Sequence, residues 1–203
     1  MSSTAQQLKK LMRRVLRDRR RFHSGDSAVM CADIEKWPKK WQDRIEGASM
    51  VAGYMPIDEE PLLDEVLKSL TKRGVKMCFP RVEGDDIVFY EASSEDAFEE
   101  GSFSIREPKK GLSKVDPSAI DVMLVPGMAF DNKGTRLGRG KGFYDRFCRD
   151  LKEKRDISII GVVRERNLLP AIPKEPWDLI VDAVVTEASF TDVNEMRRNE
   201  VDQ

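Results

Sequence analysis

The sequence predicts an α/β fold in one domain. Two features of the 203 residues carry that prediction. Short apolar, β-branched runs alternate with stretches of helical period. No repeat and no linker divides them, and the length suits a single sizeable core. A third feature gives the fold a centre. One of the apolar runs leads into a glycine-rich cationic loop, and the loop leads into a helix.

Residues 4–22 read as a helix, with Leu8, Leu11, Met12, Val15, Leu16 and Phe22 forming an apolar stripe. Its other faces are basic, and Lys9 and Arg13, four apart, are neighbours on one of them. Such a face suits solvent; a basic helix can also meet RNA or a membrane, but no aromatics interleave here. Residues 26–45 read as one or two helices interrupted at Pro38, with Trp37 and Trp41 in the core. A short strand over 49–54 ends in Met55-Pro56. Glu59-Glu60-Pro61 then reads as a helix start, with Leu62, Leu63, Val66, Leu67 and Leu70 on the buried side. Strands follow over 75–79 and 86–91, joined by a Gly84-Asp85 turn. Val122 to Val125 is a buried strand, and 157–163 is a fully apolar one. Pro170, Pro173 and Pro176 mark a rigid irregular crossing. Residues 182–186 read as the last strand, and the polar end from Asn194 as a frayed tail.

The loop after Val125 is Pro126-Gly127-Met128-Ala129-Phe130-Asp131, then Gly134-Thr135-Arg136-Leu137-Gly138-Arg139-Gly140-Lys141-Gly142-Phe143-Tyr144-Asp145. Glycines allow left-handed backbone and close approach, so successive N–H groups can converge on an anion. Arg136, Arg139 and Lys141 add charge, and Phe143, Phe147 and Leu151 continue as a helix whose N-terminus also favours phosphate. The spacing is neither the dinucleotide G-x-G-x-x-G nor a P-loop, because Gly142 and not Ser or Thr follows Lys141. The same composition also suits a surface loop with turn glycines.

This stretch resembles the signature of the 5-formyltetrahydrofolate cyclo-ligase (methenyltetrahydrofolate synthetase) family: Pro126-Gly127, Phe130-Asp131, Gly134-x-Arg136-Leu137-Gly138, then Gly140-Lys141-Gly142-Phe143-Tyr144-Asp145. Ile105-Arg106-Glu107-Pro108 and the terminal Asp182-Ala183-Val184-Val185-Thr186 resemble further family segments. The resemblance implies a single three-layer domain over 1–203 with a mixed central sheet, similar to the NagB/RpiA/CoA transferase-like fold. It implies ATP-dependent closure of 5-formyltetrahydrofolate to 5,10-methenyltetrahydrofolate. On it, Lys9, Arg13, Arg136, Leu137, Gly138, Arg139, Gly140, Lys141, Gly142, Phe143 and Tyr144 fall at ATP, with Arg139 and Lys141 acting catalytically. Met55, Glu60 and Phe143 fall at the folate, and Asp145 and Asp182 at Mg²⁺. Phe143 stands where the family often has Tyr. Without the resemblance, Glu60 and Asp145 read equally as carboxylates favoured by a helix dipole.

Composition narrows the rest. A net charge of −1 gives no global field for nucleic acid or anionic membrane. No apolar run approaches the ~20 residues of a membrane span, and no signal-peptide core opens the chain. Cys31, Cys78 and Cys148 show neither a disulfide framework nor a zinc spacing, which fits a reducing cytosol. His23 is the only histidine, so histidine relays and multi-histidine metal sites are not expected. The expected protein is a cytoplasmic monomer or weak dimer acting on small molecules. Its rivals are a non-catalytic folate or nucleotide binder and another ATP-dependent phosphotransferase.

Overall fold

A computed structural model describes residues 3–21, 34–101, 105–153 and 156–201. The expected helical residues 26–33, together with Phe22, His23 and Cys31, lie outside the described residues.

The apolar runs assemble a seven-stranded sheet in the order β12-β11-β9-β6-β1-β2-β3. Its middle is parallel: β11 (Ala183–Val185), β9 (Ser158–Val162), β6 (Val122–Pro126), β1 (Met50–Ala52) and β2 (Lys76–Glu83). Antiparallel strands close both edges, β3 (Asp86–Glu91) beside β2 and β12 (Phe190–Asp192) beside β11. The sheet is therefore mixed, as expected. The parallel strands are buried on both faces, which explains their unbroken apolar character. Side chains alternate across them. Val122, Leu124, Ile160, Val162, Ala183 and Val185 face one core, while Met123, Val125, Ile159 and Val184 face the other.

Helices cover each face. Trp41 and Ile45 of α2 (Lys39–Glu46) and Val66 and Leu70 of α3 (Asp64–Lys72) fill the first core. Trp37 joins them, so both tryptophans are core residues, as expected. Cys148 and Leu151 of α4 (Phe143–Lys152) fill the second. Burying a side chain of Leu or Ile size contributes about 1.5–3 kcal/mol, so these layers supply most of the stability. The amino-terminal helix α1 (Thr4–Arg21) lays Met12 and Leu16 over a third, small cluster of Ala129, Leu137 and Ile172. That cluster belongs to the three-stranded sheet β10-β7-β8, of Leu168–Leu169, Ala129–Asp131 and Arg136–Leu137. A two-stranded ribbon, β4 (Phe98–Glu100) with β5 (Arg106–Pro108), stands beside β2. No described helix is long and apolar enough to cross a membrane.

Several boundaries differ from expectation: β1 is shorter than residues 49–54, and β12 follows the strand expected to be the last. The helix expected at Pro61 begins at Asp64. Tyr54 Oη donates to the Pro61 carbonyl at 2.7 Å, and Glu60 N donates to the Ile57 carbonyl at 3.1 Å, so this segment is a turn. The strand expected to stop at Phe79 runs on through Pro80 to Glu83. Its pairing with β1 ends at Cys78, and beyond that point only β3 lies alongside. A residue without an N–H is tolerated where one edge carries no ladder. The end expected to fray from Asn194 is instead helix α5 (Val193–Val201), started by the Asp192 carboxylate accepting from Glu195 N at 3.0 Å.

Candidate active site

The signature loop lies beyond the carboxyl ends of the parallel strands, where open α/β sheets place ligands. Arg136, on β8, is its centre. The side chain is 8% exposed, and Nε donates to the Pro126 carbonyl at 2.7 Å. Nη1 lies 3.7 Å from Asp145 Oδ2, and the guanidinium sits 4.9 Å from the Tyr144 ring centroid. Gly138 makes room for this: a Cβ there would stand 2.5 Å from Arg136 Nη1. Gly142 has φ 71°, a left-handed conformation that favours glycine, and it caps α4 without a side-chain bond. The amides of the first turn of α4 are thus available to an anion.

Two cavities meet at Arg136 and Gly142. The first, of about 360 Å³, is cationic, with Lys9, Arg13, Arg136, Arg146 and Arg149 in its wall and Gly138, Gly140 and Gly142 along its edge. Lys9 is buried and paired with Asp178. Arg13 Nε donates to the Gly138 carbonyl at 2.7 Å. Burial lowers the pKa of the Arg13 guanidinium, and Asp145 and Asp178 resist that shift. Asp145, in the same wall, accepts from Leu179 N at 3.1 Å through Oδ1.

The second cavity, of about 480 Å³, is largely apolar, with Met55, Ile57, Val82, Ile87, Phe143 and Tyr144 along its walls. Three carboxylates, Asp58, Glu60 and Glu107, also border it. Glu60 is 6% exposed and accepts from Ile57 N at 3.0 Å and from Arg139 Nε at 3.1 Å. Burial raises the Glu60 pKa, against the pull of Arg139. Every donor around it is an N–H, so the carboxylate form satisfies the site. Arg139 also donates to Asp58 Oδ2 at 2.8 Å and to the Ile57 carbonyl at 3.1 Å. Burial works against its charge, but Glu60 and Asp58 outweigh burial and raise its pKa. Desolvation pushes the Tyr144 phenol up as well, opposed by Arg136.

The structure brings Lys9, Arg13, Arg136, Gly138, Gly140, Gly142 and Asp145 to the cationic cavity, and Met55, Glu60, Phe143 and Tyr144 to the apolar one. Four expected residues lie elsewhere, and Phe143 and Tyr144 border the apolar cavity alone. Arg139 and Lys141 border the apolar cavity and not the cationic one, because the 57–60 turn captures the Arg139 fork. Leu137 is fully buried in the small cluster, and its carbonyl accepts from Met128 N at 2.9 Å. Asp182 is not beside Asp145 in either cavity. Its Oδ1 meets Lys152 Nζ at 3.0 Å at the far end of α4, and its Oδ2 accepts from Ile159 N at 2.8 Å. One oxygen serves the sheet and the other the last turn of α4.

Sequence reasoning missed several wall residues. Gln6, Arg146, Arg149, Glu175, Trp177 and Asp178 complete the cationic cavity, and Tyr54, Asp58 and Glu107 are among the further residues of the apolar one. A tryptophan and an aspartate directly after three spaced prolines were the available signal. Among the described residues no three acidic, histidine or cysteine side chains cluster as a metal site. A single carboxylate facing a phosphate site nonetheless suits a hard divalent cation, which keeps waters and takes its other ligands from phosphates. Asp145, in the wall of the cationic cavity with Oδ2 3.7 Å from Arg136 Nη1, fits that description.

Comparisons with known proteins agree with this architecture. A family model described as the 5-formyltetrahydrofolate cyclo-ligase family matches residues 5–187. A 5-formyltetrahydrofolate cyclo-ligase of Mycolicibacterium smegmatis is 32% identical over 149 residues, covering 70% of this chain and 75% of that one. The enzyme of the same name from Escherichia coli K12 is 30% identical over 143 residues, covering 68% and 78%. The solution structure of Aquifex aeolicus 5,10-methenyltetrahydrofolate synthetase superposes with a TM-score of 0.68 at 29% identity, covering 92% of this chain and 93% of that one.

Proposed function

The chain belongs to the 5-formyltetrahydrofolate cyclo-ligase family, and on that footing we propose how its two cavities divide one reaction: ATP binds in the cationic cavity and 5-formyltetrahydrofolate in the apolar one. The observation that carries the proposal is that the cavities meet at Arg136 and Gly142.

The chemistry explains why they must meet. A formyl group on nitrogen is an unreactive amide, and closing it onto the neighbouring nitrogen must expel its oxygen. Phosphorylation converts that oxygen into a leaving group. The formyl oxygen attacks the γ-phosphorus, the bond to the β-bridging oxygen breaks, and ADP departs. The second nitrogen then attacks the activated carbon, phosphate leaves with the former formyl oxygen, and the nitrogen gives up its proton. The products are 5,10-methenyltetrahydrofolate, ADP and phosphate.

The chain's part is positioning and charge neutralisation. Arg13, Arg136 and the amides from Gly138 to Phe143 hold the triphosphate, with Lys9 fixing the far wall through Asp178. Arg136 stands at the junction, where the transferred phosphoryl group gathers charge. Glu60, held by Arg139, accepts hydrogen bonds from the N–H groups of the pterin, while Met55 and Phe143 pack its ring. Lys141 borders the folate side of the junction and acts there, not on the outer phosphates. A divalent cation, which we take to be Mg²⁺, would be held with the triphosphate by Asp145 and would neutralise phosphate charge. The buried, free Cys78 and Cys148 support a reducing, cytoplasmic setting.

The test is a spectrophotometric assay with purified protein, 5-formyltetrahydrofolate and Mg-ATP, omitting each in turn. Methenyl absorbance should rise only with all components present. Absorbance that rises equally without ATP, or never rises with ATP consumed, would reject the proposal.

A further inference from the structure

Trp177 is 52% exposed, whereas Trp37 and Trp41 are 4% and 1% exposed. Large aromatic rings left in water are uncommon, and one on the rim of a cleft marks a contact surface. The indole borders the cationic cavity and also a second hollow of about 350 Å³ that shares Asp145 and Arg149 with it. Trp177 thus borders both hollows.

The backbone beneath the ring is fixed by residues of the same cleft. Asp178 pairs with Lys9 and accepts from Glu175 N at 2.6 Å. Leu179 N donates to Asp145 Oδ1 at 3.1 Å. The strap is thus tied by its polar neighbours, and the indole takes no part in holding it.

We infer that Trp177 is the platform for the nucleobase, the purine ring of the nucleoside triphosphate stacking on its indole. This rests on the cationic cavity being the triphosphate site. Arg136 and Gly142 border the folate cavity as well and Trp177 does not, so the nucleoside extends along the wall away from that junction, where Trp177 stands. A stack reads the π-face of a base and not its edge, so the site accepts guanine nearly as well as adenine.

The experiment uses the full chain as wild type, Trp177→Phe and Trp177→Ala. ATP and inorganic tripolyphosphate are bound calorimetrically, and KM is measured for both substrates. Trp177→Ala should weaken ATP about 5- to 150-fold, the span of one base–aromatic stack. Trp177→Phe should recover part of the loss. Tripolyphosphate affinity and the KM for 5-formyltetrahydrofolate should stay at wild-type values. ATP, but not tripolyphosphate, should quench wild-type indole emission, and Trp177→Phe should abolish the quench. Unchanged ATP affinity in Trp177→Ala, or parallel weakening of tripolyphosphate, overturns the inference. Failure of the wild type to cyclise the folate would count against the proposed function, while the ATP-binding series still decides the role of Trp177.

Discussion

Glu60 and Gly138 show how much a single side chain, or its absence, decides here. Burial holds the Glu60 carboxyl above its ordinary range, and the donors around it require the ionised form. Activity therefore falls on the acidic side as Glu60 takes up a proton, and this limb lies at higher pH than an unperturbed Glu at about 4.3 would give. Glu60→Gln should flatten that limb and lower kcat/KM for the folate roughly 10- to 100-fold, the worth of one charged hydrogen bond. An unmoved pH profile in that variant would remove Glu60 from the substrate. Gly138→Ala puts a methyl group 2.5 Å from Arg136 Nη1, and the Pro126 carbonyl anchors that guanidinium from the other side. Displacing it by about 1 Å should cost on the order of 100-fold in kcat/KM for ATP, read by steady-state kinetics with a melting curve as the control for folding. The loop's glycines and cations were legible in the sequence because their order is unusual. Their directions were not. Arg139 reads as a phosphate ligand until Asp58, eighty-one residues earlier, is seen to face it.

Among the elements, the β7–β8 hairpin is the one that delivers Arg136, and one carboxylate holds it. Asp131 is 3% exposed and accepts from Thr135 N at 2.8 Å and Lys133 N at 3.0 Å through Oδ1, and from Ile172 N at 2.9 Å through Oδ2. It ties the hairpin to the proline-rich crossing under α1. Asp131→Ala strands these donors, at about 1–3 kcal/mol for each that stays buried. A total near 3 kcal/mol should lower the melting temperature by roughly 6–12 °C in a chain of this size; a shift below 2 °C would show that water replaces the carboxylate. The strands β6 and β9 were legible because parallel strands buried on both faces read as continuous apolar runs. The start of α3 was not, because Pro61 carries a helix-start signal that the Tyr54 hydroxyl overrides by taking its carbonyl. Helix α5 was not legible either: most of its residues are polar, and among its described side chains Val193 is the one buried in the core.

Across the whole molecule, the two cores leave no reactive thiol among the described cysteines. Burial pushes Cys78 and Cys148 each up to about 12, so neither supplies appreciable thiolate near neutrality. A chromogenic thiol reagent should leave both unmodified in the native protein and label them after denaturation; rapid native labelling at either would mean that the sheet opens. The alternation of Met123 and Leu124 to opposite cores also makes the centre of β6 a sensitive place to truncate. Leu124→Ala should cost about 2–5 kcal/mol, measured by urea unfolding. The common wall between the cavities has a pharmacological consequence. A molecule carrying a pterin joined by a short tether to a polyphosphate would place both halves at once, since Arg136 and Gly142 border both spaces. The tether makes the second half's docking intramolecular, so such a bisubstrate compound should bind 10²- to 10⁴-fold more tightly than the better of its parts.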